Sequence, residues 1–331
     1  MVVPGSIPNM MRSFANLYLK FCFFALMISI PHKAKQFSLF TIKLLVVIGA
    51  FYFIYDQIAH KPELNWENSK RFIFEKTNSI EFIVLLLLSV ANRFLEILKW
   101  QNLVSSFDKI NLYQSTEQVL SALTLGVFTP YGVGEYIGKT LYYGKDKAKK
   151  IVLLNLICNG IQMLMIAWFG MIGFFILGLY TWGSAMIGLF LLCLSLLFMA
   201  HYFKSKLGSI TSFITSFSFI SNDVHRRNMF LGFLRFITLS HQFYFLLITF
   251  DVNVPYFTLL STISIVYLLA NALPSFQLFD FAIKGSVAVY FFGQLGINEW
   301  LVVFISTLMW LLNIVIPVLL GSFFVIRYKA K

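Results

Sequence analysis

Residues 128–139 have the sequence Phe-Thr-Pro-Tyr-Gly-Val-Gly-Glu-Tyr-Ile-Gly-Lys, and they interrupt an apolar stretch that runs from about 113 to 142. The proline and the glycines predict a break, and neither half of the stretch is long enough to cross a hydrocarbon core about 30 Å thick. Broken helices at membrane depth occur where they line a cavity or are buried in protein, because their freed backbone groups need partners. We therefore expect a re-entrant hairpin of two short helices.

A second apolar stretch, about 257–297, is interrupted in a similar way. Its central residues, 272–284, have the sequence Ala-Leu-Pro-Ser-Phe-Gln-Leu-Phe-Asp-Phe-Ala-Ile-Lys. Both breaks contain a proline, then a carboxylate followed by an aromatic residue, then a lysine four positions after the carboxylate. If the second halves are helical, the carboxylate and the lysine of each break share one helix face. The similarity predicts two matching elements of an internal repeat.

Six further stretches are apolar and long enough to cross a membrane: about 38–59, 80–98, 151–178, 183–203, 229–250 and 300–326. Basic residues flank them in five groups: Lys33 and Lys35; Lys99 and Lys109; Lys145, Lys147, Lys149 and Lys150; Lys204, Lys206, Arg226 and Arg227; and Arg327, Lys329 and Lys331. If the first terminus is cytoplasmic and the two breaks re-enter without crossing, all five groups are cytoplasmic, as the positive-inside rule requires.

These patterns predict an all-α polytopic membrane protein with about six full transmembrane helices and two re-entrant broken-helix hairpins in an inverted repeat. The expected location is the cytoplasmic (inner) membrane, with a cytoplasmic C-terminus. Residues 37–331 are expected to form a single membrane domain, with repeat elements at about 80–178 and 229–326.

Residues 1–36 are expected to form a separate N-terminal segment. The stretch 13–30 is apolar, but Lys20 interrupts it and no signal-peptide cleavage site follows. Three interpretations stay open: an interfacial helix, an additional span, or a start assigned upstream of a native start at Met27. Whether residues 1–26 belong to the native protein is open for the same reason.

The composition excludes most soluble classes of protein. The chain has 331 residues, of which 59% are hydrophobic and 12% are charged, and its mean hydropathy is +0.79; a soluble domain of this length needs far more charge on its surface. The net charge of +12 comes from basic residues beside apolar stretches, which favours contact with anionic lipid over nucleic acid. The three cysteines lie in apolar stretches without a metal-ligand spacing, so we expect no disulfide framework, metal site or cofactor.

Charged residues inside apolar stretches are the candidate functional residues. Each costs at least about 2.5 kcal/mol at the centre of a bilayer on insertion scales, so it usually has a partner or a function. The simpler alternative is that each carboxylate only neutralises its own lysine, and that Arg93 extends towards the membrane surface. The candidate substrate-binding residues are Arg93, Glu96, Pro130, Gly132, Gly134, Glu135, Lys139, Pro274, Asp280 and Lys284.

Other polar positions are weaker candidates. Gly132 and Gly134 either let the backbone approach a ligand or a neighbouring helix, or simply make the turn. Arg93 with Glu96 is one charged site at depth and Arg235 is another, and the same two interpretations, a function or a simple extension towards the surface, apply to both. Arg235 lies about as far before its proline as Arg93 does, but an inverted repeat forbids two matching residues on the same side, so we expect that match to be chance. Asn155, Asn159 and Gln162 share one helix face and favour interhelical hydrogen bonds. His241 and Gln242 form a lone polar spot in the fifth span.

The sequence contains no HExxH, GxSxG, Walker or aspartate-rich prenyl-diphosphate motif, so no catalytic residue is predicted.

Two parts of the chain resemble the membrane domain of the lysylphosphatidylglycerol synthase/flippase family. Residues 92–100 with 128–139 are similar to that family's Pro-x-Gly-x-Gly-Glu signature, and residues 271–297 are similar to its second element. The family's arginine after the glutamate is Lys139 here, which keeps the charge but loses bidentate phosphate binding. Glycines are usual where this chain has Phe276 and Gln277, and glutamate where it has Asp280. The resemblance implies the translocase part of such proteins without the cytosolic aminoacyl-transferring domain.

The sequence therefore favours a lipid or lipid-linked-precursor translocase, in which lysines meet a phosphate and carboxylates meet an amine or carry a coupling proton. The alternatives are a membrane subunit of, or itself, a transferase acting on a lipid carrier, and a structural scaffold. The expected partner is a membrane lipid with a phospholipid or polyprenyl-linked headgroup. A homodimer or a soluble transferase partner is compatible with the sequence.

Overall fold

The computed structural model describes residues 79–127, 129, 132–144, 146–202, 219–273 and 277–328, together with the single positions 41, 48, 52, 55 and 56. The chain divides into two units, Met1–Leu45 and Val46–Lys331, and every described residue except Thr41 belongs to the second. The predictions for the N-terminal segment, for nearly all of the crossing at 38–59, and for Pro130 and Pro274 lie outside the described residues.

All regular elements in the described part are helical, which confirms the predicted class. In chain order they are α1 (Ser79–Val104), α2 (Leu112–Val127), α3 (Val133–Thr140), α4 (Ala148–Ile176), α5 (Tyr180–Tyr202), α6 (Asn222–Thr249), α7 (Tyr256–Ala272), a 3₁₀ turn (Gln277–Phe279), α8 (Asp280–Gln294), α9 (Glu299–Trp310), a π-helical turn (Leu311–Val315) and α10 (Ile316–Arg327).

Three of these helices are long and apolar enough to cross a membrane: α4, α6 and the continuous run Glu299–Arg327 that contains α9 and α10. They coincide with the crossings predicted at 151–178, 229–250 and 300–326. Residues Tyr180–Leu192 of α5 and the whole of α7 are apolar but shorter. The helix α1 is continuous through the crossing predicted at 80–98, although charged residues interrupt its apolar character. Six full crossings therefore stay a prediction, and a membrane protein with three candidate spans is what the fold supports.

The first break is a tight helical hairpin. Gly132 adopts a left-handed conformation (φ 64°) immediately before α3, which glycine does without steric cost. Thr129 joins the two helices, because its hydroxyl donates to the Gly126 carbonyl (2.9 Å) and accepts from the Gly134 amide (2.7 Å). With 16 and 8 residues, α2 and α3 rise about 24 and 12 Å. Neither helix is long enough to cross a bilayer alone.

Small residues let α3 lie directly against α2 in an antiparallel arrangement. A Cβ on Gly134 would overlap the Leu125 carbonyl, and a Cβ on Gly138 would lie 2.9 Å from the Ala122 Cα. Close approach at small residues is the usual basis of helix association in membranes.

The second break packs against the first. On either side of it, α7 and α8 share a small core of Ala270, Ala282 and Ile283. The side chain of Gln277, in the 3₁₀ turn, lies 3.5 Å from the positions that Cβ atoms would occupy on Gly126 and Gly132. The two interrupted stretches are therefore in direct contact, while their depth in a membrane and their symmetry stay predictions.

Hydrogen bonds fix the register of the antiparallel pair α1 and α6. At one end the Asn102 amide donates to the Val224 carbonyl (2.8 Å), and at the other the Gln242 amide donates to the Leu85 carbonyl (3.1 Å). The pair forms the centre of the described unit, because α4 and the run from α9 to α10 also contact it.

We expect Gly134→Ala to lower the thermal stability of the purified protein, because the added Cβ would push α3 away from α2. Overpacking of this kind costs about 1–3 kcal/mol. The measurement is the melting temperature in detergent, followed by intrinsic tryptophan fluorescence. Gly160→Ala is the matched control, since nothing lies within 4 Å of a Cβ at that position. Equal melting temperatures for the two variants would contradict the close contact.

Candidate functional site

One face of α1 carries polar and charged side chains over about three helical turns. They recur every three or four residues, so they share the face that is turned towards the other helices. All of them are buried: Ser89, Asn92, Arg93, Glu96 and Lys99.

The first part of this face is bound to the π-helical turn of the last span. Asn92 donates to the Asn313 side-chain oxygen (2.8 Å), and Asn313 donates in turn to Gln242 of α6 (2.9 Å). The Arg93 guanidinium donates to the backbone carbonyl of Asn313, and the Ser89 hydroxyl to that of Leu312 (2.8 Å). A π turn shifts the helical hydrogen-bond pattern and is frequent at functional sites. Here side chains of α1 donate hydrogen bonds to two backbone carbonyls of the π turn.

Glu96 is shared by two arginines. Arg93 pairs with its Oε2 atom from one turn earlier on α1, and Arg235 of α6 pairs with the same oxygen at 3.2 Å. Arg235 also donates to the Asn92 side-chain oxygen (3.0 Å). The sequence predicted two separate charged sites at depth, Arg93 with Glu96 and Arg235, and only the matching positions of the two arginines before their prolines were expected to be chance. The structure instead places both arginines on one carboxylate.

Lys139 is the centre of the second part of the site. Its ammonium donates to Glu135 (3.0 Å) and to Asn155 of α4 (2.5 Å), and it lies 4.4 Å from the centre of the Trp100 ring. The lysine is 1% exposed. A cation over the face of an indole is stabilised by the ring quadrupole, more strongly where water is excluded. The i,i+4 pair predicted from the sequence is therefore present, with two further partners.

Gln118 of α2 fixes the position of the Trp100 ring through a hydrogen bond. Its side-chain oxygen accepts from the Trp100 indole (2.7 Å) and from the Tyr143 hydroxyl (3.0 Å). Burial raises the pKa of Tyr143, in the loop after α3, to about 12, so the phenol keeps its proton and donates at physiological pH.

The two parts form one electrostatic cluster. Glu96 interacts with Lys139 and Lys99 as well as with its arginines, and Arg93 interacts with Glu135. Among the described residues, four basic side chains (Arg93, Lys99, Lys139 and Arg235) thus share this largely buried site with two carboxylates (Glu96 and Glu135), a formal excess of two positive charges.

Lys99 is the cation with the weakest compensation. Its side chain is 0% exposed, and its ammonium donates to the Cys158 carbonyl of α4 (3.0 Å). No carboxylate in the described part of the chain lies within 4 Å of it. From the sequence, Lys99 belongs to a basic group that follows the second span. In the structure α1 continues to Val104, and the side chain of Lys99 is fully buried with its ammonium on α4.

Several buried amides beside the cluster lack partners. Among the described residues, the Asn155 Nδ2 atom, both polar atoms of Gln162 and both of Asn228 make no hydrogen bond. Buried polar atoms are normally satisfied by protein, water or a ligand. Asn155 does make the interhelical bond expected from the sequence, whereas Gln162 does not.

The Asp280/Lys284 pair is present but separate. The two side chains form an ion pair at the start of α8 and are more exposed than the pair at the first break. Within the described ranges they make no hydrogen bond or ion pair with the α1 cluster. Of the predicted glycines, Gly134 serves close packing of α3 on α2, and Gly132 serves the turn and the contact with Gln277.

Three important residues of the network were not among the predicted site residues: Asn92, Asn313 and Gln242. The spacing of Asn92, Glu96 and Lys99 at i, i+4 and i+7 is a signal that identifies one polar helix face. Nothing in the sequence pairs that face with Asn313. In the described residues, no three His, Cys, Asp or Glu side chains are grouped so that they could hold a metal ion.

The sequence matches no protein-family model, and a search of curated proteins finds no match. The resemblance to the lysylphosphatidylglycerol synthase/flippase family therefore stays a prediction, and the geometry of the buried cluster is the main guide to function.

We expect Asn313→Leu to destabilise the protein by about 2 kcal/mol, because it leaves the buried amides of Asn92 and Gln242 without their partner. The measurement is the melting temperature in detergent. Asn271→Leu is the matched control: among the described residues, Asn271 hydrogen-bonds only within its own helix, to the Tyr267 carbonyl (2.7 Å). A melting temperature for Asn313→Leu at or above that of the control would show that the network does not hold the three helices together.

Proposed function

We propose that the protein is a translocase for a membrane lipid or lipid-linked precursor with an anionic headgroup. The observation that carries this proposal is the formal excess of two positive charges that the described residues show in the buried cluster of Arg93, Glu96, Lys99, Glu135, Lys139 and Arg235. Cations without a counter-charge are costly in a low-dielectric site, so the cluster is incomplete without an anion.

A phosphate group suits this cluster best. Guanidinium groups bind phosphate through two parallel hydrogen bonds, and lysine binds it as a point charge. Arg93 and Arg235 already converge on one oxygen of Glu96, so an anion beside this carboxylate meets two guanidinium groups together. The unpaired Asn155 amide nitrogen, next to Lys139, offers a further donor.

The amphipathic character of α3 favours a lipid over a soluble anion. Glu135 and Lys139 are buried on its inner face, while Val133 and Ile137 are exposed on its outer face. Only the width of this helix therefore separates a headgroup at the inner face from the apolar outer face. The acyl or prenyl chains of the same lipid stay in the membrane beside that outer face.

The Glu135/Lys139 pair suggests how a headgroup is exchanged. An arriving phosphate competes with Glu135 for the Lys139 ammonium, and the released carboxylate accepts an amine of the headgroup or a proton. The pair lies next to a glycine-rich break, so a small rotation of α3 alters its exposure without unfolding a full span. The family resemblance of residues 128–139 supports the same function.

Lys139→Met tests the proposal, because it removes the charge and keeps most of the side-chain volume. In proteoliposomes that contain a fluorescent phosphatidylglycerol analogue, we expect the wild-type protein to increase the fraction of label exposed to a membrane-impermeant quencher over time. We expect Lys139→Met to lower this rate at least about tenfold, which corresponds to about 1.4 kcal/mol. Lys147→Met is the matched control, since Lys147 pairs with Asp108 at the surface (3.6 Å).

A second variant separates loss of function from loss of fold. Glu135→Gln combined with Lys139→Met removes the buried pair without leaving a lone charge, and its melting temperature shows whether the protein is folded. Transport by a folded double variant at the wild-type rate would overturn the headgroup role. Absence of transport by the wild-type protein, together with co-purification of a soluble transferase, would favour the transferase-subunit alternative.

A further inference from the structure

A second polar site lies outside the buried cluster, at the end of the α1–α6 pair where α6 begins. It is an open cleft of about 580 Å³ between the last turns of α1, the loop that follows it and the first turns of α6. Its lining includes Leu98, Gln101, Asn102, Lys109, Arg227 and Phe230.

Two side-chain hydrogen bonds fix the walls of this cleft. The Gln101 amide donates to the Ile110 carbonyl (3.0 Å), which holds the loop against α1, and the Asn102 amide donates to the Val224 carbonyl (2.8 Å), which holds the start of α6 against α1. The cleft is therefore formed by structure that is already ordered, and a ligand would meet it without a large rearrangement.

The two cations in the cleft have no carboxylate partner in the described part of the chain. The acidic residues nearest to them in sequence pair elsewhere: Asp108 with Lys147 (3.6 Å) and Asp223 with Arg226 (3.8 Å). Lys109 and Arg227 therefore leave a net charge of two in a concave site that also offers amide and hydroxyl groups. This combination is complementary to a phosphate group.

An exposed apolar strip leads away from the cleft along α1. Leu98 lines the cleft, and Phe94, Val90 and Leu87 follow at helical spacing towards the middle of the helix, with exposed fractions of 43, 65 and 63%. Phe230 lines the cleft on α6 and is also exposed. A ligand with a charged end and a long apolar chain satisfies both features, whereas a soluble phosphate leaves the strip uncovered.

We propose that this cleft binds the phosphate of an anionic phospholipid, with an acyl chain along the α1 strip. The site is distinct from the buried cluster, and the inference does not depend on translocase activity. The sequence places Lys109 and Arg227 on the cytoplasmic side, where the anionic lipids of the inner leaflet are available, and basic pockets between helices on that side are known to take such headgroups. The bound lipid neutralises the two cations and stabilises the contact between α1 and α6.

Lys109→Gln combined with Arg227→Gln tests the site. The full-length protein, purified in detergent, is titrated with phosphatidylglycerol or phosphatidylcholine, and bound lipid is counted by native mass spectrometry. We expect phosphatidylglycerol to bind more tightly than phosphatidylcholine, and the double variant to lose about thirtyfold in affinity for phosphatidylglycerol, from about one kcal/mol for each cation near an anionic lipid. Its affinity for phosphatidylcholine is expected to stay unchanged.

Lys149→Gln combined with Arg226→Gln is the matched control, because it removes the same charge from exposed positions outside the cleft. Equal loss of binding in both double variants would overturn the proposal, since general surface charge would then account for the binding. Unchanged binding in the cleft variant would overturn it as well. Displacement of the lipid by millimolar glycerol phosphate would show a phosphate site without a role for the apolar strip, which overturns the assignment to a lipid.

Discussion

The helix α1 brings three charged side chains, Arg93, Glu96 and Lys99, into a part of the protein from which water is excluded. Burying an ion without partners costs several kcal/mol, so their combined cost is comparable with the whole stability of a typical domain, about 5–15 kcal/mol. The other helices therefore pack where they supply partners. The α6 helix contributes Arg235, α4 contributes the Cys158 carbonyl, and the last span opens into a π turn whose Asn313 carbonyl accepts from Arg93. Polar contacts thus determine how these helices meet, while their apolar faces are suited to lipid.

Small residues determine how close the charged groups come to one another. Lys139 reaches Asn155 and the Trp100 ring because α3 lies directly on α2, and that contact exists only because Gly134 and Gly138 have no Cβ. The short helix is held by backbone proximity rather than by a large apolar core. Such a contact is specific in position, but the buried residues of α3 are only Gly134, Glu135, Gly138 and Lys139, so this helix has little apolar burial to oppose a rotation.

Local patterns in the sequence predicted the helical class, both interrupted stretches and the i,i+4 pairs within them, because each of these depends on residues close together in the chain. The α1–α6 network could not be predicted in the same way. The break in the last span has a local cause, because Pro317 lacks the N–H that would bond the Asn313 carbonyl. Nothing in the local sequence, however, says which helix face meets that carbonyl. Lys99 was assigned to a flanking basic group because it follows an apolar run, yet α1 simply continues past it. Gln277 was considered only as a departure from a glycine pattern, although its side chain lies between the two breaks against Gly126 and Gly132.

The cleft and the buried cluster lie along the same interface between α1 and α6. Asn102 at the cleft and Lys99 in the cluster are three residues apart on α1, a rise of about 4.5 Å. On the facing helix, Gly232 follows the cleft residue Leu231 directly, and a Cβ there would lie 4.0 Å from the Lys99 Cε atom. A Cβ at Gly232 would be in ordinary van der Waals contact with the buried lysine, and the atom that it would crowd is the Ile161 Cγ2 at 2.8 Å. A flexible four-carbon chain bound to a single carbonyl is easier to displace than a guanidinium held by several groups. Among the cations of the cluster, Lys99 is thus held by fewer groups than either arginine.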